Sequence, residues 1–191
     1  MKIKKNELYL DSDEAKVEDH VLSFDSSVST IIEPNKDGKN THTLVIKKPL
    51  IIVLSGRGNT GKTTTLRKVV DKLMDFGAVP ICGPYYKNKD DVFIGLKFGK
   101  TTIAIATEGD MSTEINKGIE LLHSCTIIYY VYILASRSKG ETRNCISSKF
   151  HGQTIIRLDR QAVTVDNDSV LESKLRNQVN EQQSDFIISL I

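Results

Sequence analysis

Residues 56–63 read Gly56-Arg57-Gly58-Asn59-Thr60-Gly61-Lys62-Thr63, which is G-x-x-x-x-G-K-[ST] without departure. These types at this spacing suit the binding of a polyphosphate. Gly56 and Gly61 lack a Cβ, so the backbone can wrap closely around a phosphate. Successive N–H groups from Gly58 to Thr63, continued by Thr64, then form an anion nest. A helix beginning near Lys62 aims its positive dipole end at the same group. The Lys62 ammonium would reach the outer phosphates, and the Thr63 hydroxyl would hold Mg²⁺. Gly56, Arg57, Gly58, Asn59, Thr60, Gly61, Lys62, Thr63 and Thr64 are the candidate nucleotide-binding residues. A glycine-rich turn of no chemical meaning is the alternative.

The flanking sequence supplies the elements such a loop needs. Leu50-Ile51-Ile52-Val53-Leu54 is a continuous apolar run, as in a strand buried on both faces of a parallel sheet. After the loop, Leu66, Val69, Val70 and Leu73 recur at helical spacing, and Gly77 ends the helix. Through Ser55 to Leu66 the chain resembles the P-loop NTPase superfamily. The resemblance extends over residues 49 to about 160 and implies nucleotide binding in an α/β layer fold. It implies ATP and Mg²⁺ as cofactors. It does not cover the first 45 residues.

Further elements follow in alternation. The pattern predicts a strand at Val79–Cys82, a hairpin from Asp91–Lys97 and Lys100–Thr107 around Phe98-Gly99, and a helix from Met111 to His123. It continues with a strand over Thr126–Ala135, a helix from Gly140 to Phe150, a strand at Gln153–Leu158 and a C-terminal helix from Asp168 to about Ser184. Alternating strands and helices predict a mostly parallel central sheet with helices on both faces. The hairpin is expected as an antiparallel addition to the sheet edge.

Residues 1–45 form an acidic N-terminal extension, with a β-hairpin expected on either side of the turn Pro34-Asn35-Lys36-Asp37-Gly38. A partly ordered extension is the alternative. Residues 46–191 form the nucleotide-binding domain. Short apolar runs at Val21–Phe24, Val28–Ile32 and Leu44–Ile46 are the strand candidates in the extension.

A phosphate loop of this kind works with a carboxylate at a strand end that holds Mg²⁺ and positions water. The strand ending at Thr107 is followed by Glu108-Gly109-Asp110. Asp110 is the first candidate, as metal ligand and catalytic residue, and Glu108 the second. Asp110 or Ser112 could instead cap the following helix. Thr107 is a weaker candidate for a bond to the γ-phosphate or the water. Ser136 to Arg143 follows the strongest late strand and suits a lid. Arg137 or Arg143 would there stabilise charge on the transferring phosphoryl group. A solvated loop and helix start is the bland alternative.

Other matches carry less. Asn88-Lys89-Asp90-Asp91 fits a guanine-specificity pattern but precedes the presumed metal-binding strand, so it reads as a charged loop and adenine is the default base. His20, His42, His123 and His151 are dispersed without metal-ligand spacing. Tyr129, Tyr130 and Tyr132 suit core packing better than base stacking.

Composition excludes several classes. The longest apolar run, Thr126–Ala135, is ten residues, about half of what a bilayer-spanning helix needs. The lysines of Met1-Lys2-Ile3-Lys4-Lys5 lead into acidic residues and not an apolar core, so no secretory leader is expected. Cys82, Cys125 and Cys145 are scattered and odd in number, which points to buried thiols in a reducing cytoplasm and away from disulfides or zinc. Residues 1–45 hold six Lys/Arg and nine Asp/Glu, and residues 46–191 hold twenty and fifteen, so −3 and +5 make the net +2. That balance is too weak to mark a nucleic-acid binder. Residues 137–160, with six basic and two acidic side chains, are the one stretch suited to such contact.

Three functions are compatible with these features. The first is an ATPase whose Mg²⁺-dependent hydrolysis acts on a protein partner or within a homo-oligomer. The second is a small kinase that phosphorylates a nucleotide, nucleoside or other acceptor. The third is a regulatory nucleotide-binding module with little turnover. The kinase reading is weakened by the absence of arginine from the interval Gly83 to Asp90, where an acceptor site would lie.

Overall fold

The computed structural model describes residues 48–86, 91–160, 162–166 and 168–191, together with the backbone of four N-terminal strands. Those strands are β1 (Lys2–Lys4), β2 (Glu7–Leu10), β3 (Ser27–Pro34) and β4 (Asn40–Lys47). They form an antiparallel sheet in the order β1-β2-β4-β3. The expected hairpin is β3 with β4, in register from Ser27 opposite Lys47 to Pro34 opposite Asn40. Its turn residues after Pro34, and the apolar run Val21–Phe24, lie outside the described residues. β4 runs two residues past the expected division at residue 45.

The second sheet is α/β and mixed. It comprises β5 (Leu50–Ser55), β6 (Val79–Tyr86), β7 (Val92–Phe98), β8 (Thr101–Ala106), β9 (Val131–Ser136) and β10 (Thr154–Asp159), in the order β10-β5-β9-β8-β7-β6. The pairs from β10 to β8 are parallel, and β7 is antiparallel to both β8 and β6. The hairpin is therefore built into the sheet. β8 pairs with β9 as a core strand, and the edge is β6, whose pairing with β7 shifts register twice.

Alternation along β5 divides the core. Ile52 and Leu54 face α1 (Lys62–Asp75) and α4 (Ser169–Ser189), meeting Leu66, Val69, Leu73 and Ile187. Ile51 and Val53 face α2 (Ser112–His123) and α3 (Glu141–Lys149), meeting Ile115, Ile119, Leu122 and Ile146. All of these side chains are almost fully buried, at about 1.5–3 kcal/mol each. Helices thus cover both faces of the sheet. α1 ends as its sequence dictates, with Gly77 at φ +92° and the Ala78 N–H returning to Leu73 O at 2.8 Å.

Three local expectations need correction. The apolar run Thr126–Ala135 is a strand only from Val131. Its first residues turn the chain off α2, with Thr126 at φ +54°, and bury Tyr129. Tyr129 and Tyr132 pack edge-on in the core with ring centroids 5.8 Å apart, and burial pushes the Tyr129 phenol up to about 12. The residue that caps α2 is Met111, in extended conformation, and no side chain bonds the first turn, so neither Asp110 nor Ser112 caps it. Cys82 and Cys125 are joined in a disulfide with Cα atoms 6.0 Å apart, which ties β6 to the end of α2 and leaves Cys145 as the free thiol. Residues 43 apart in sequence meet because β6 returns along the edge of the sheet over α2. Among the described residues no helix is long and apolar enough to cross a membrane.

Candidate phosphate site

The loop from Gly56 to Lys62 leaves the end of β5 at the edge where the parallel strands finish, which is where open α/β sheets bind ligands. Its base is fixed by β9. Ser55 Oγ lies 3.0 Å from Ser136 Oγ, and the Gly56 N–H donates to Ser136 O at 3.1 Å. Asn59 and Gly61 take positive φ, at +58° and +93°. At Gly61 any side chain would be strained and would meet Asn180 and Arg160. The Thr60 hydroxyl closes the turn on Arg57 O at 2.9 Å.

α1 starts bare. No side chain caps it and no acidic residue stands in its first turn. The positive end of the helix is therefore offset by no carboxylate of its own. Lys62 is buried and folds back beneath the loop, donating to Arg57 O at 2.8 Å and Gly56 O at 3.3 Å. Asp110 Oδ1 stands 3.6 Å from its ammonium. Burial pushes Lys62 below the usual lysine range, and Asp110 partly counters this.

The expected partners converge unequally. Gly109 lies so close to the backbone of Ala135 that any Cβ would collide, and this approach carries the segment after β8 across the end of β9. Asp110 is thereby placed between two cations, 3.3 Å from Arg137 Nε as well as near Lys62. The Arg137 guanidinium lies over Gly58, within 3.6–3.8 Å of where a Cβ would stand. Glu108 is buried on the same cavity wall. Arg143 is not brought in. It is exposed in the first turn of α3 and donates to Ser138 O at 3.3 Å, just before the helix.

Sequence reasoning missed three residues. Asp91, taken as part of a charged loop, receives the Thr63 hydroxyl at 3.1 Å and the Thr107 hydroxyl at 3.3 Å. Arg160, at the end of β10, is buried behind the loop and donates to Asn180 Oδ1 at 2.5 Å. Asn180 of α4 also accepts from the Thr65 hydroxyl at 3.1 Å. Arg160 and Asn180 had no local signal, because only packing of α4 on α1 unites them with the loop. Asp91 had one, as an acid just before a strand that pairs with the Thr107 strand. Asn88-Lys89-Asp90 lies outside the described residues.

Lys62, Thr63, Asp91, Glu108, Asp110 and Arg160 line a cavity of about 780 Å³, inside the usual range for small-molecule sites. A second cavity of about 400 Å³ lies across Asp110 and Arg137, against the start of α2. Among the described residues no three His, Cys, Asp or Glu side chains are grouped to hold a metal by themselves. The donors present, Thr63 and Asp91, are hard oxygens. They fit Mg²⁺, which takes one or two protein oxygens and completes its shell with phosphates and water.

No protein-family model, no curated protein and no solved structure matches this chain.

Proposed function

We propose that the chain is a P-loop NTPase that binds Mg²⁺–ATP in the Gly56–Thr63 loop and hydrolyses it in a cycle coupled to a protein partner or a second copy. One observation carries this reading. The G-x-x-x-x-G-K-T loop stands between a fully buried strand and an acid-free helix start, with a buried lysine folded under it. Backbone N–H groups and the helix dipole would bind the β- and γ-phosphates. Lys62 would exchange its loop carbonyls for phosphate oxygens. Thr63 would hold Mg²⁺, which would supply positive charge to the phosphates. In hydrolysis, water attacks the γ-phosphorus as the bond to ADP breaks. Glu108 orients that water and takes its proton, and Arg137 stabilises the transferred charge. A cytoplasmic setting, rich in ATP, belongs to this reading, and the Cys82–Cys125 bridge runs against the reducing conditions of that setting.

Phosphotransfer is the second reading, favoured by the cavity of about 400 Å³ beyond Asp110 and Arg137, which offers room for an acceptor beside the γ-phosphate position. ADP release from Mg²⁺–ATP, with and without nucleosides and nucleoside monophosphates, separates the two. Slow acceptor-independent ADP, abolished by Lys62→Ala, is the expected result. ADP that appears only with an acceptor would make the protein a kinase.

A further inference from the structure

A parallel sheet presents only the C-terminal ends of its strands to a ligand at one edge. This sheet departs from that rule at β7. Because β7 runs antiparallel to β8, its N-terminal end arrives at the same edge as the C-terminal ends of β5, β8 and β9. The register pairs Phe93 with Ala106, so the residues just outside the ladder, Asp91 and Val92, come beside Thr107. Two bonds fix that approach. The Thr107 N–H donates to Val92 O at 3.1 Å, and the Val92 N–H donates to the Thr107 hydroxyl at 2.9 Å.

Three carboxylates lie around the loop, and they face different partners. Asp110 is about half exposed and is held between Lys62 and Arg137, on the cationic side. Glu108 is buried on the cavity wall. Asp91 accepts a hydrogen bond from the Thr63 hydroxyl, the group that the loop offers to a cation. Position 107, at the strand end itself, holds a buried threonine whose hydroxyl turns to Asp91 at 3.3 Å. Thr63 Oγ1 and Asp91 Oδ1 are 3.1 Å apart. Adjacent oxygens of an octahedral Mg²⁺ shell with bonds near 2.1 Å are about 3.0 Å apart.

We propose that Asp91, delivered by the reversed strand β7, is the carboxylate that positions the divalent cation beside Thr63, in place of an acid at the end of β8. The assignment rests on the nucleotide-binding reading above. It moves the metal role away from Asp110. In the nucleotide-free protein the Thr63 hydroxyl donates to Asp91, and the cation replaces that proton contact when Mg²⁺–ATP enters. Thr107 is a positioning residue, since its hydroxyl and backbone hold Asp91 toward Thr63.

The test is ATP binding to the full chain by calorimetry, in Mg²⁺ and in EDTA, with Mn²⁺ affinity of the ATP-loaded protein read by electron paramagnetic resonance. The variants are Asp91→Asn, Asp91→Glu, Asp110→Asn and Lys62→Ala. Asp91→Asn should keep the EDTA affinity and bind Mn²⁺ about 10- to 100-fold more weakly, as loss of a metal-holding partner does. Asp91→Glu keeps the charge and should recover part of the Mn²⁺ affinity, which a purely structural role of Asp91 would not produce. Asp110→Asn should keep the ratio of Mg²⁺ to EDTA affinity. Unchanged Mn²⁺ binding in Asp91→Asn, or its loss in Asp110→Asn instead, overturns the assignment. Failure of Mg²⁺ to strengthen ATP binding by the unmodified protein overturns it as well. Lys62→Ala judges the other level. If that variant binds ATP in EDTA as well as the unmodified protein does, the phosphate-loop reading itself fails.

Discussion

Asp110 shows how a residue's neighbours decide its work. It sits 3.6 Å from Lys62 Nζ and 3.3 Å from Arg137 Nε, two cations that a triphosphate would otherwise claim. With no nucleotide bound, its carboxylate therefore occupies the electrostatic place of a phosphate. Removing that charge should help a nucleotide and not harm it. Because Asp110 is about half exposed and its contacts are 3.3 Å or longer, the gain is set near the roughly 0.2–1 kcal/mol of exposed ion pairs, about 1.5- to fivefold in affinity. Asp110→Asn is expected to bind ATP in EDTA tighter by that factor, as calorimetry would show; weaker binding would mean that Asp110 contacts the nucleotide favourably. The loop residues were legible in the sequence because phosphate binding by backbone N–H groups is a local property of consecutive residues. Asp91 was legible only in part: the expected hairpin sets it beside Thr107, but its meeting with Thr63 depends on that hairpin lying inside the sheet next to the loop. Arg143 illustrates the converse. It lies six residues from Arg137 in sequence, yet its chain turns it back on Ser138.

At the scale of elements, the packing of α4 on α1 fixes the back of the site. Lys68 and Lys72 of α1 both pair with Glu181 of α4, and Lys72 also reaches Asp185 at 2.5 Å. Hydrogen bonds from Lys68 and then Lys72 hold the Glu181 carboxyl down from 4.5 to about 2. A depressed carboxyl pKa means that the unfolded chain takes up the proton first as pH falls. The stabilisation is therefore complete above pH 4.5 and is lost as pH drops toward about 2. Glu181→Gln should melt slightly below the unmodified protein near pH 6, a small gap because the carboxylate is open to solvent, and most of that gap should have closed by about pH 2.5 in thermal scans. A gap that stayed constant would show that the pair contributes no pH-dependent stability. The disulfide from β6 to the end of α2 is a second such tie. Reduction, or Cys82→Ser, should cost about 2–4 kcal/mol in denaturant unfolding. Under denaturing, non-reducing conditions, thiol titration should find the one free thiol of Cys145. Finding all three cysteines as thiols would contradict the bridge. Helices and strands with long periodic patterns were legible here. The bridge was not, because odd, dispersed cysteines give no sign of which two the fold will bring to 6.0 Å.

For the molecule as a whole, the mixed sheet gathers one edge of the protein for chemistry. The C-terminal ends of β5, β8, β9 and β10 and the N-terminal end of β7 meet there, supplying Lys62, Glu108, Arg137, Arg160 and Asp91 in turn. α1 and α4 shield one face, and α2 and α3 the other. The α/β layering was readable from alternating strands and helices, and the location of the hairpin within the sheet was not, because its apolar strands fit an edge and an interior equally well. The separate antiparallel sheet of β1 to β4 lies in the acidic N-terminal segment. The claim on which the rest depends is that the Gly56–Thr63 loop holds the phosphates of ATP. Equilibrium binding of ATP with Mg²⁺, measured side by side on the unmodified chain and on folded Lys62→Ala, tests it most directly. Saturable binding of one nucleotide per chain, weakened about 10- to 100-fold by the substitution as a lost charged hydrogen bond requires, is the expected result. Absence of binding by the unmodified chain, or equal binding by the two, would contradict it.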